Sequence, residues 1–156
     1  MAETKRELIL TAARTRIQDI RQGNGYRTNL ARVLEVPVDL DALTEFPVAV
    51  LTDEPELDED LYEEATFTGL VDALTHFKVT LMAKGSDALA VRTLLNRLDA
   101  DVAKALSASL TLGLDFTQPI RRVARDGSSW AGQDAGWRGW RSTTWAVPYT
   151  YSEGDE

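Results

Sequence analysis

Apolar residues in this chain recur with two different periods, and the switch between them limits the folds open to it. Over residues 4 to about 22, Ile9, Ala13, Ile17 and Ile20 return every three or four positions, with Leu8 and Ala12 widening the stripe. That is the spacing of an amphipathic helix. Val91, Leu94, Leu95, Leu98, Val102 and Leu106 repeat the pattern from Gly85-Ser86-Asp87 to about Ala108. Elsewhere the period is two, the signature of strands. Strand segments enclosing two helices predict an α+β fold, with an antiparallel or mixed β-sheet and two amphipathic helices packed on one face.

The ends of these elements carry their own signals. Thr4 followed by Glu7 is a capping-box pattern, and Gly23 or Gly25 supplies a position that ends the first helix. Ser86 or Asp87 caps the second helix. Arg97 and Asp101, four residues apart, suit a solvated pair worth ~0.3 kcal/mol. Arg32, Leu34, Val36 and Val38 share one face of a first strand, with Val33 and Glu35 on the other, and Pro37 places that strand at an edge or ends it. Asp39-Leu40-Asp41 reads as a turn or a short helical start. Phe46 to Leu51 is short, apolar and suited to a buried strand.

Ala65 to Val71 and Thr75 to Lys84 read as extended, with Asp72-Ala73 as a turn or bend between them. In the second, Phe77, Val79, Leu81 and Ala83 face one way, and His76, Lys78, Thr80 and Met82 the other. Two strands, Ile120 to Arg125 and Trp140 to Tyr151, flank a Gly/Ser/Asp-rich connection from Asp126 to Gly139. In the last strand Arg141, Thr143, Trp145, Val147, Tyr149 and Tyr151 share a face, and Pro148 marks it as an edge strand. Residues 1–151 are expected to form one domain and 152–156 a loose tail.

The 156 residues, 44% of them apolar, are enough for one packed core. There is no cysteine, so disulfides and thiolate chemistry are excluded; there is one histidine, so a multi-histidine metal site is too. Gly23-Asn24-Gly25 ends a helix instead of joining strand to helix, which is the wrong place for a phosphate loop. No run of about 18 apolar residues is present, so no membrane span is expected. The charged N-terminus does not resemble a signal peptide, and the chain is expected to stay in the cytoplasm where it is made. No catalytic residue, metal or cofactor is expected.

Net charge is −8, and its location is informative. Asp53, Glu54, Glu56, Asp58, Glu59, Asp60, Glu63 and Glu64 fall between residues 53 and 64 with no Lys or Arg among them, and the rest of the chain balances 17 acids against 17 bases. Tight binding of DNA by such a subunit is not expected, because that affinity comes from cations neutralising phosphates. The acidic run contains no glycine and does not fit a calcium loop. It reads as a solvated loop, or as a functional acidic surface that repels DNA or meets a basic partner. His76 reads as a solvated or interface side chain.

All four tryptophans lie near the C-terminal end. Trp145 belongs to a strand alternation and to the core. Trp130, Trp137 and Trp140 are surrounded by Arg121, Arg122, Arg125, Arg138 and Arg141, a residue mixture typical of protein–protein contacts.

The order of segments resembles one family. A helix runs into NGYRTN (24–29), followed by a strand, FPVAVL (46–51), the acidic insertion, THFKVTLMAKG (75–85), the helix DALAVRTLLNRLDADVAKAL (87–106) and a last strand WAVPYTY (145–151). Together they resemble the tail terminator, or tail completion, proteins of long-tailed bacteriophages; the 126–139 connection and the tryptophans lie outside the pattern. The resemblance implies a non-enzymatic virion protein, an α+β subunit of a homo-hexameric ring. Such a ring caps the tail tube protein, ends its polymerisation, and joins the tail to the head-side neck or head-completion protein. DNA would pass through without tight binding, past an acidic lumen or inter-ring surface, and the Trp/Arg region would contact a neighbouring subunit or partner. Two alternatives are a head-completion or neck connector protein on the portal side, and a small cytosolic dimeric binding module.

Overall fold

The computed structural model describes residues 4–36, 42–61, 70–108, 111–133 and 136–152, with the backbone alone described at 60, 61, 70, 71, 125–133 and 136. Expectations for Pro37 to Asp41, Glu63, Glu64, Ala65 to Gly69 and residues 153–156 of the tail fall outside those residues; Ser152, expected in the tail, instead ends the last strand, paired with Leu70.

The chain is α+β. In chain order, α1 (Lys5–Gln18) is followed by β1 (Arg32–Leu34), β2 (Val48–Asp53), β3 (Glu59–Leu61), β4 (Leu70–Gly85), α2 (Ala88–Ser107), β5 (Arg121–Gln133) and β6 (Gly136–Ser152). Five strands form one path, β1-β2-β4-β6-β5, and β3 pairs with β4 beside it. β1 runs parallel to β2, and every other pair is antiparallel.

Both helices start where their caps direct. The Thr4 hydroxyl accepts from the Glu7 N–H at 3.2 Å, and the Glu7 carboxylate accepts from the Thr4 N–H at 2.7 Å. Asp87 accepts from the Ala90 N–H at 2.7 Å. α1 ends at Gln18, earlier than its apolar stripe suggests, and a 3-10 turn over Gln22–Asn24 closes at Gly25 with φ 88°. That conformation costs a side chain strain that glycine avoids.

Both helices lie on one face of the sheet. Ile9, Ala13, Ile17 and Ile20 join Val91, Leu95, Leu98, Val102 and Leu106 against Phe77, Val79, Leu81, Trp145, Val147 and Tyr149 in one buried cluster. Each fully buried Leu, Ile, Val or Phe stabilises by about 1.5–3 kcal/mol relative to exposure. The expected odd-numbered faces of β4 and β6 both point into this core. On the opposite face Val48, Val50 and Met82 form a smaller cluster with Leu34, Leu43, Phe46 and Trp140.

Three sequence expectations are corrected by the register. Residues 70–85 form one uninterrupted strand: Asp72 and Ala73 pair in the ladder with Thr150 and Tyr149 and make no turn. The stretch from Asp126 to Gly139 is no connection, because Gly127 pairs with Ser142 and the ladder continues to Gln133↔Gly136. Long-range pairing here overrides the weak strand preference of Gly and Ser. Finally, β6 is central rather than an edge. Pro148 is tolerated because β5 begins only opposite Ala146, and next to Pro148 the chain meets β6 through one bridge, Thr117↔Tyr149. The missing N–H falls where the ladder has already ended.

Candidate functional surfaces

The acidic run does not form a single surface. Asp53 ends β2, residues 55–57 make a 3-10 turn, and residues 59–61 add a short strand to β4. Asp58 turns inward. It accepts from the His76 N–H at 2.7 Å and the Thr75 hydroxyl at 3.2 Å, and its side chain is 9% exposed. The Arg6 Nε lies 3.0 Å from Oδ2, the oxygen that also accepts from Thr75, tying α1 to the β3–β4 corner. A carboxylate in a charged, Pro-broken segment is largely withdrawn from solvent because backbone and side-chain donors converge on it.

Of the neighbouring acids, Asp53 and Glu54 hold their protons more tightly than free carboxyls do. Burial, then the Asp58 carboxylate, raise the pKa of Asp53 despite nearby Arg6. Glu54 is raised first by its hydrogen bond with Glu56 and then by burial, against the pull of Lys78 3.3 Å away. The same hydrogen bond lowers Glu56. Glu56 and Glu59 are exposed. The side chains of Asp60, Glu63 and Glu64 lie outside the described set.

His76 is not solvated: its side chain is 12% exposed, with Nδ1 3.5 Å from an Asp58 oxygen. The sequence offers no carboxylate at a suggestive spacing, and the fold brings one from 18 residues away.

The tryptophans and arginines divide between the two faces of the sheet. On the helix face Trp137 packs against the main core, so it does not stand in a flexible stretch. There Arg122 lies over the Trp145 ring at 4.9 Å and 3.3 Å from Asp99, and Arg141 donates to Asn96 at 2.6 Å. On the other face Trp140 packs on the smaller cluster, and Arg138 lies over Phe46 at 5.5 Å. Arg121 is exposed; the side chains of Arg125 and Trp130 are not among those described.

A further carboxylate, expected in solvent from local spacing, is buried. Asp101 does not pair with Arg97 in solvent. It is 2% exposed and accepts from the N–H groups of Arg27 and Thr28. Its partners stand more than 70 residues away, beyond the reach of any i, i+4 argument.

Two clefts of about 500 Å3 are present. One runs between Arg14, Gln18 and Arg21 and the segment Ala31, Arg32 and Val33 at the start of β1. The other lies where Gln118–Arg121 meets Asp72–Leu74 and Pro148. Among the described residues no group of three or more His, Cys, Asp or Glu could hold a metal, and no helix is long and apolar enough to cross a membrane.

No protein-family model and no curated protein matches this chain.

Proposed function

We propose that this chain is a non-enzymatic virion subunit that forms a ring, six-membered by the family resemblance, on the end of a phage tail tube. It would stop tube growth there and join the tail to the head-side neck. The observation that carries this reading is the pair of unlike free edges on one sheet. β1 and β5 end the strand path on opposite sides, and among the described residues neither has an outer partner. An association that joins two different surfaces of the same subunit is head-to-tail, and it closes into a ring when the rotation allows.

The charge supports the rest. The exposed acids of the 53–64 run, Glu56 and Glu59 among those described, would keep a passing duplex from adhering, since like charges repel. Trp and Arg side chains held on both faces of β6 suit contacts above and below a ring. Imaging the purified protein with and without tail tubes tests the reading: six-fold rings, free or at one end of each tube, are expected.

A further inference from the structure

Residues 127–133 of β5, Gly-Ser-Ser-Trp-Ala-Gly-Gln, carry no charge and no proline. They form an unpaired outer edge among the described residues. Natural sheets blunt such edges with lysine, proline or bulges. Here the two register shifts fall earlier, between Arg122 and Ala124 and between Arg125 and Gly127, and leave the rest of the ladder regular. Only two residues separate the closing pair Gln133↔Gly136. Hydrogen-bonded pairs alternate from that end, so Ser128, Trp130 and Gly132 turn their backbone groups outward.

At the opposite end of the sheet, β1 borders the cleft of about 500 Å3 with three cations, Arg14, Arg21 and Arg32, and one carboxylate, Asp19, along it. Arg14 is already paired with Glu35 at 2.8 Å. A strand that brings carbonyls and hydroxyls but no cation suits this cleft. Of the four large hydrophobic side chains described as exposed, Val36 follows β1 and Val123 lies in β5, one beside each free edge.

We infer that the 127–133 edge of one copy adds to β1 of a second copy, seated in the Arg14–Arg32 cleft. This rests on the head-to-tail reading above and names the two surfaces that meet. The mode is strand addition, in which main-chain hydrogen bonds supply the affinity.

The absence of native cysteine makes the test clean. Val36→Cys, Ser129→Cys and the double variant are treated with a short thiol–thiol cross-linker as concentration is raised to the millimolar range. The double variant is expected to give a ladder of covalent oligomers, and each single variant none. In a separate variant, Ser128→Pro removes an outward N–H without touching the pairing to β6. It is expected to raise the concentration of half-assembly by about tenfold or more. Six-fold rings without cross-links in the double variant would overturn the edge contact and leave the ring reading standing. Dimers from Ser129→Cys alone would show a symmetric β5–β5 contact and overturn both. No association at any concentration would overturn the edge contact.

Discussion

The Asp101 carboxylate accepts from the Thr28 N–H at 2.9 Å, and its two oxygens each lie 3.1 Å from the Arg27 N–H. One buried side chain on α2 thus satisfies the backbone of the loop that leads from α1 to β1. Lys104, one turn further along the helix, donates to the Gly25 carbonyl at 2.6 Å and lies over the Tyr26 ring. α2 therefore sets the position of the loop that carries the chain to the β1 edge.

Removing that carboxylate leaves buried N–H groups without an acceptor. Asp101→Ala is expected to destabilise the subunit by about 2–4 kcal/mol, with Asp101→Asn losing less because its carbonyl still accepts. Urea denaturation followed by tryptophan fluorescence measures both. A loss within experimental error for Asp101→Ala would show that the loop holds without it.

Trp137 and Trp140 are expected to act on folding as well as on any contact. Trp137 packs on the main core and Trp140 on the smaller cluster. Truncation to Ala is expected to cost about 1–3 kcal/mol at each half-buried site. Thermal unfolding of the single variants, read by far-ultraviolet circular dichroism, decides between this and a purely intermolecular role. An unchanged midpoint would assign the rings to an interface alone.

Asp53 gives a signed pH dependence. Asp53 is an exposed residue at the end of β2, and its folded carboxyl titrates above the ordinary value of 3.8, chiefly because of partial desolvation and then the Asp58 charge. The folded state therefore binds a proton that the unfolded chain releases. The stability carried by this group is present below 3.8 and is lost as pH rises through the folded pKa. Asp53→Asn is expected to unfold at a higher temperature than the parent protein at neutral pH, with the advantage vanishing in acid. A variant less stable at neutral pH would reverse the sign.

Much of this architecture was readable in the sequence because its causes are local. Thr4, Glu7 and Asp87 cap helices through neighbours three residues away, and the odd positions of β4 and β6 declare their buried face by alternation. What could not be read depends on partners distant in the chain. The charge of Asp58 is accommodated by Arg6, Thr75 and the His76 backbone, and Asp101 by Arg27 and Thr28. Pro148 looks like an edge residue until the start of β5 is known. Gly127 to Gln133 looks like a loop until its register with β6 supplies the pairing that composition does not.

The acidic run separates folding from function once Asp58 is left intact. Replacing Glu59, Asp60, Glu63 and Glu64 by Gln or Asn removes four negative charges without touching the Asp58 contacts. The variant is expected to keep its unfolding temperature and to retain duplex DNA more strongly at low salt, an electrostatic gain that fades as salt is added. Equal DNA retention in a filter-binding or mobility assay at low salt would remove the repulsive role assigned to these acids.

The central claim is that this subunit closes into a ring by joining unlike surfaces. Mass photometry of the purified protein, followed by negative-stain imaging with and without tail tubes, tests it most directly. Six-fold rings, free in solution or seated at one end of each tube, are expected. A discrete dimer that ignores the tubes would contradict it.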